Sequence, residues 1–331
     1  LRRTNFPEIR ANYARTTLRQ AQVVCACRPV NTTWSVTNRH PYAPVGTPQE
    51  FSMSKTFLIT GVSSGLGRAF AQEALAAGHC VVGTVRKPDQ ISEFEALAPG
   101  HAVGRLLDIT DDAGVTALVD GVEQDIGPID VLISNAGYGL EGTVEETGLD
   151  DLRRQFDVNV FASVAVIKAV LPYMRRRRHG HIFTLSSMAG LTALPGVAFY
   201  GASKFAMEGI ASSLAQEVAP FGIRVTSLAL GSFRTDWAGR SMIRAPRTVP
   251  DYDALFEPIR AARQSKSGKQ IGDPARAAKA LLRILDADDP PVHLVLGSDA
   301  LRLVQQGQRQ LGDDLAAWAD LTASTDFPPD H

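Results

Sequence analysis

From residue 56 onward the chain alternates short apolar runs with longer amphipathic ones. That alternation constrains the fold more than any single residue does. Residues 56–59, 80–85, 102–107, 129–134, 181–185, 223–230 and 292–296 read as strands, each apolar almost throughout. Strands of that kind are buried on both faces, which is the situation in a parallel sheet covered by helices. Between them lie helical stretches with one apolar side. Val115, Leu118, Val119, Val122 and Ile126 share a face behind a cap at Asp111 or Asp112. Phe156, Val160, Val164, Ile167 and Leu171 share another in a long helix over 149–177, with a kink expected at Pro172. Further helices are expected over 200–218, 275–285 and 301–321. Right-handed crossovers then predict a doubly wound (Rossmann) α/β fold, a single domain with a seven-stranded parallel sheet and helices on both faces. In such a fold the ligand lies beyond the carboxyl ends of the strands, so chemistry is sought just after each strand.

The first such place is Thr60-Gly61-Val62-Ser63-Ser64-Gly65-Leu66-Gly67, between a strand and a helix. Glycines there let the backbone approach an anion closely, and the free N–H groups of the helix start point at it. Alone, the turn is equally an ordinary glycine-rich connection. A second place is Tyr200-Gly201-Ala202-Ser203-Lys204, preceded thirteen residues earlier by Ser187 at the end of the fifth strand. Tyr200 and Lys204, four apart on a helix, share a face. A fixed ammonium beside a phenol favours phenolate and lowers a pKa that is ordinarily near ~10, fitting the tyrosine for general acid–base work. Ser187 can hydrogen-bond a carbonyl or alcohol oxygen beside that phenol.

Together these motifs resemble the short-chain dehydrogenase/reductase family, in its compact single-domain branch. The match runs from about Lys55 to the C-terminus. It is carried by Gly61-x-x-x-Gly65-x-Gly67, Asp108, Asn135-Ala136-Gly137, Asn159, Ser187, Tyr200 and Lys204 in order. The resemblance implies that Tyr200 exchanges a proton with the substrate oxygen while hydride moves to or from a nicotinamide. Lys204 would hold the nicotinamide ribose and lower the Tyr200 pKa, Ser187 would orient the substrate oxygen, and Asn159 would hold a water in a proton relay. The cofactor would lie along Gly61, Ser63, Ser64, Gly65, Leu66 and Gly67, with Asp108 and Ile109 at the adenine and Asn135, Ala136 and Gly137 beside the central strand. Gly231, Phe233 and Thr235 would meet the nicotinamide end.

After the second strand, NAD-using relatives carry an acid that binds ribose hydroxyls and repels a 2′-phosphate. Here Val85 is followed by Arg86 and Lys87. Arg86 can pair a phosphate through its planar fork, so the expected cofactor is NADP(H). One departure stands out. Relatives have Pro-Gly after the sixth strand, whereas this chain has Leu230-Gly231-Ser232-Phe233-Arg234-Thr235, which puts the stiffness of that turn in question.

Residues 232–271 read as a substrate lid. Trp237, Met242, Ile243, Tyr252, Leu255, Phe256 and Ile259, with Tyr138, Leu140, Leu191 and Phe199, would line a cleft for an apolar ketone, aldehyde or secondary alcohol. Arg234, Arg240 and Arg244 leave open recruitment of an anionic group. The competing reading is an NADP(H)-binding sensor without catalysis, but relatives of that kind usually lack the tyrosine or lysine. Nucleotide-sugar epimerases differ in their glycine spacing and carry a larger C-terminal domain.

Residues 1–52 stand apart, with seven arginines, no lysine and Glu8 and Glu50 as their acids. They read as a disordered arm, either a transit peptide or upstream sequence before a start at Met53. The formal net charge of -1 argues against nucleic acid. Three cysteines make no disulfide framework or zinc spacing, and no metal site is expected; Cys80 reads as a buried small hydrophobe. With no apolar run near ~18 residues, no membrane span is expected, and the chain reads as cytoplasmic. The resemblance also implies a homodimer or homotetramer built on the long helix and the Tyr200 helix.

Overall fold

The computed structural model describes residues 54–327. The expectations for residues 1–52, for Cys25 and Cys27 and for a start at Met53 fall outside them. β1 (Thr56–Ile59) is followed by α1 (Gly65–Ala76), β2 (Cys80–Val85), α2 (Asp89–Glu95), β3 (Ala102–Leu106) and α3 (Asp112–Asp125). Then come β4 (Ile129–Ser134), β5 (Gly139–Glu141), α4 (Leu149–Phe156), α5 (Ala162–Arg177), β6 (Gly180–Leu185), α6 (Ala198–Val218) and β7 (Ile223–Leu230). The order closes with β8 (Met242–Arg244), α7 (Asp253–Ser265), α8 (Pro274–Leu285), β9 (His293–Leu296), α9 (Ser298–Ala317) and α10 (Ala319–Ala323).

Seven of these strands form one sheet in the order β3-β2-β1-β4-β6-β7-β9, every neighbouring pair parallel. Because all point the same way, every strand delivers its following loop to one edge. The order reverses between β1 and β4, which opens the crevice where a ligand fits. Alternate side chains of each strand serve opposite faces. Leu58 and Leu132 join Val119, Val166, Val170 and Met207 of α3, α5 and α6 in one core. Phe57, Ile59, Val131 and Ile133 join Phe70, Phe94 and Leu281 of α1, α2 and α8 in the other. Cys80 is fully buried in β2.

The long helix departs from expectation in one respect. The run does not break at Pro172, which sits inside α5, but at Asp157–Phe161, a π-helical turn between α4 and α5. A wider turn re-aims a side chain, and such turns recur at functional sites. Here it turns Asn159 inward. By length and composition the whole stretch Leu149–Arg177 could cross a bilayer, contrary to the sequence expectation of no such run. A core helix passes the same test, and Val166, Ile167, Val170 and Met174 are packed against the sheet.

Candidate active site

The loop after β1 is shaped by its glycines. Gly61 and Gly65 have φ of 75° and 62°, in the left-handed region that favours glycine. A Cβ on Gly67 would lie 2.2 Å from the Gly61 carbonyl oxygen. The next strand holds this turn in place. The Asn135 amide donates to the carbonyls of Thr60 and Gly61 at 2.8 and 2.9 Å, and the Asn135 and Ala136 N–H groups donate to the Thr60 hydroxyl. Ser64 caps α1 in extended conformation without a side-chain capping bond, so no cap side chain claims the helix's first N–H groups. That is a fitting cradle for a pyrophosphate. Gly65 faces Thr235, at 3.8 Å from a notional Cβ to the threonine Cβ.

Around the turn lie the remaining expected residues. Ser63 is exposed, and Leu66 is half-buried in the α1 core. Arg86 is exposed just beyond β2. Asp108 accepts from the Thr110 N–H and hydroxyl at 3.0 and 2.7 Å, and these bonds, aided by nearby Arg86, hold its carboxyl below the usual range. Ile109 is buried beside it. Gly137 is so near Asn159 that a Cβ would meet its Oδ1 at 3.0 Å and Lys204 Nζ at 3.8 Å.

The turn lacking its proline is held in another way. The Gly231 N–H donates to Leu296 O at 2.8 Å, and the Ser232 N–H donates to Asp299 Oδ2 at 2.9 Å. Arg234 N–H to Gly272 O and Gly272 N–H to Ser232 O pair the next residues, placing Phe233 against Gly272. Hydrogen bonds from β9 and α9 thus fix a loop that a ring would otherwise stiffen. Asp299 is a residue the sequence reading missed, because its partner lies 67 positions away.

Ser187, Tyr200 and Lys204 meet at the edge of β6. The Ser187 hydroxyl accepts from the Ala189 N–H at 3.1 Å and acts on the Tyr200 phenol, drawing its pKa down. Lys204 Nζ lies 5.8 Å from the Tyr200 ring centroid and donates to Leu185 O at 2.7 Å. Asn159 donates to Tyr138 O and to Ser203 Oγ and accepts from the Tyr138 N–H, each at 3.1 Å. Its side chain therefore braces the β4–β5 loop against α6.

The electrostatics correct one expectation. Tyr200 is not lowered: burial pushes its phenol up to about 12, against a smaller opposing effect of the Ser187 bond. Burial also pulls Lys204 down to about 8, partly opposed by Glu208 one turn further along α6. In the protein alone, loss of water dominates both groups, ahead of the Ser187 and Glu208 contributions. At neutral pH the pair is a neutral phenol beside an ammonium, which is the form that donates a proton.

The stretch 232–271, expected to form a lid, has structure of its own. β8 pairs with β5 in parallel, and Trp237 packs on Tyr200 with ring centroids 5.1 Å apart. Two buried carboxylates fasten it. Glu141 faces Arg244, Arg260 and Arg263, while Glu146 binds Arg247 and accepts from the Thr248 and Val249 N–H groups. Arg247 also reaches Asp253 and Glu257 and lies over the Phe256 ring. The arginines weighed for an anionic substrate are therefore engaged within the chain: Arg244 with Glu141, Arg240 with Asp236, and Arg234 with Gln270 O. Of the expected lining, Met242, Leu140 and Phe256 are buried, whereas Ile243 and Leu255 face solvent. The Tyr252 hydroxyl donates to Glu145. Neither Arg260 and Arg263 of α7 nor the acid they share stood out in the sequence, since Glu141 lies 122 positions from Arg263.

Comparison with known proteins places this geometry. A family model described as short chain dehydrogenase matches residues 55–243. The chain is 36% identical over 274 residues to "Oxidoreductase BOA17" of Botryotinia fuckeliana, covering 82% of this chain and 100% of that one. A solved short-chain dehydrogenase from Streptomyces avermitilis is 36% identical with a TM-score of 0.79, covering 83% of this chain and 99% of that one. ElxO, solved with NADP bound, is 26% identical with a TM-score of 0.61, over 74% and 96% of the two chains.

Proposed function

The chain belongs to the short-chain dehydrogenase/reductase family, a family of oxidoreductases, and on that premise we propose that it uses NADP(H) to interconvert a carbonyl and an alcohol. The observation that carries this reading is the meeting of Ser187, Tyr200 and Lys204 at the sheet edge beside the Gly61–Gly67 turn. Bound NADP(H) supplies or accepts the hydride. Everything else falls to side chains. Ser187 and Tyr200 hydrogen-bond the substrate oxygen, and in reduction the neutral Tyr200 phenol delivers the proton to it. Lys204 stabilises the phenolate left behind and holds the ribose beside it. Gly137 leaves room between Asn159 and Lys204, and this is where a relay water would enter.

NADP(H) rather than NAD(H) rests on exposed Arg86 at the end of β2, where no acid follows Val85 to repel a phosphate. The substrate is proposed to be an apolar ketone, aldehyde or secondary alcohol, because Trp237 covers the tyrosine and the lid arginines are already paired. The test is NADPH oxidation against ketones, aldehydes and quinones. Tyr200→Phe is expected to lower kcat at least ~1,000-fold while keeping NADPH affinity. Arg86→Ala is expected to weaken NADPH ~10–100-fold and NADH less than ~2-fold. An active Tyr200→Phe enzyme refutes the acid–base role, and equal losses for the two cofactors refute the NADP(H) reading.

A further inference from the structure

A buried carboxylate on α6 lies between Lys204 and the far edge of the sheet. Lys204, Glu208 and Ser212 follow one another at four-residue intervals and so share a helix face. Glu208 is 4% exposed, and a carboxylate so buried needs partners. His293, the first residue of the edge strand β9, supplies one, with Nδ1 2.6 Å from Glu208 Oε2. Its Nε2 lies 2.9 Å from the Ser212 hydroxyl, which donates to the Glu208 main-chain carbonyl at 2.9 Å. With that hydroxyl proton spent, both ring nitrogens face acceptors, an arrangement that suits an imidazolium donating from both. The His293 side chain is 40% exposed, so the ring meets solvent while the carboxylate does not.

The other carboxylate oxygen, Glu208 Oε1, is buried and uncommitted to any partner among the described residues. Glu208 is also the charge that supports the Lys204 ammonium. From the sheet, His293 pairs in register with Ser227, and Ser227 with Thr184. Side chains two apart on a strand share a face, so this row lies on the α6 side with Ile182 and Val225. It brings two buried hydroxyls and no charge. One carboxylate thus answers to a base within the site and a base at the edge.

We propose that Glu208 serves Lys204 and His293 together, which makes His293 a positioning residue for the lysine, acting through the carboxylate. While the ring is protonated, Oε2 is held toward the sheet edge and its charge is partly answered there. Imidazole is the side chain that gives up its charge between about pH 5 and 8. As it does so, the carboxylate is left to Lys204, just below the pH of about 8 to which burial brings the ammonium. Lys204 therefore keeps its proton over a range in which burial alone would remove it. The use of that ammonium rests on the carbonyl–alcohol reading; the coupling of the two bases does not, and it is measurable without turnover.

Proton NMR of the imidazole resonances of the full chain, from pH 5 to 9, tests the coupling without cofactor. His293→Gln identifies the His293 signal by its loss. In Lys204→Met the competing cation is gone, and the signal is expected to titrate at least ~0.3 pH units higher than in the parent. In a Glu208→Gln background the same substitution is expected to move it less than half as far. An unmoved signal overturns the proposal, and equal movement in the two backgrounds means plain repulsion between two cations and overturns the part given to Glu208. A second readout uses variants at the half-exposed ring alone, with NADPH as the probe. His293→Arg keeps a permanent cation on the carboxylate, and should lose NADPH affinity at a pH at least ~0.3 units lower than His293→Gln does. Coincident profiles for the two variants overturn the proposal. Coupling in a protein that reduces no carbonyl compound refutes the reaction and leaves the shared carboxylate standing.

Discussion

Replacing Lys204 by methionine should make the protein inactive and more stable at once. The ammonium is buried, and burial brings its pKa from 10.5 down to about 8. Holding it charged in the folded protein costs about 3 kcal/mol, at about 1.4 kcal/mol for each tenfold change in proton affinity. The methionine has no such cost, but it leaves Leu185 O without its 2.7 Å donor, a loss of about 1 kcal/mol. The net expectation at pH 7 is about 2 kcal/mol of added stability, or roughly 4–8 °C in Tm for a domain of this size. The sign with pH follows from the lowered pKa. Below about 8 both folded and unfolded lysine are protonated, so the penalty is complete. Between about 8 and 10.5 the unfolded chain binds more protons, so the parent protein gains stability as pH rises, and the advantage of Lys204→Met disappears. Urea unfolding of both proteins at several pH values between 7 and 10.5 measures this directly. A variant less stable than the parent at pH 7, or a difference that does not shrink above pH 8, refutes the account.

Further expectations concern the groups around that lysine and the lid. Glu208 supports the charge on Lys204, so Glu208→Gln should lower the pH at which NADPH affinity is lost; fluorescence titration of NADPH across pH 6–9 reads the shift, and an unmoved profile counts against it. Asp299→Ala removes the acceptor of the Ser232 N–H and should loosen the Gly231–Thr235 turn, weakening NADPH ~5–20-fold with little change in fold, as a binding isotherm would show. Glu141→Gln leaves Arg244, Arg260 and Arg263 without their carboxylate and should open the lid. Limited proteolysis is then expected to cut between residues 240 and 270 at least ~10-fold faster, and a resistant variant would show that the arginines do not depend on Glu141.

Burial explains why the tyrosine and lysine behave unlike a reading of their spacing. Four residues on one helix place an ammonium beside a phenol, and from that alone a lowered phenol pKa follows. Trp237 from the lid and the walls of the crevice remove the water that would stabilise either charge, and so Tyr200 rises to about 12. The consequence is a site that holds its proton until something else enters. The same lid explains the fate of the arginines. Read along the chain, Arg234, Arg240 and Arg244 are unclaimed cations, but folding brings Glu141 to Arg244 and the Gln270 carbonyl to Arg234, while Arg240 meets Asp236 four residues away.

The sequence by itself determined the parallel doubly wound sheet, since apolar strand runs and amphipathic helices carry their periods locally. It also determined which residues gather at the sheet edge, because parallel strands release their loops on one side. Thr60–Gly67, Asn135, Ser187 and Tyr200 were legible for that reason, as each follows a strand or opens a helix. What only the tertiary structure decided depends on contacts between distant segments. The π turn at Asp157–Phe161, the Asp299 bond that stands in for a missing proline, and the two carboxylates that fasten the lid belong to this group. A buried hydrogen bond or ion pair gains its value from desolvation and geometry, and neither exists until the chain has closed on itself.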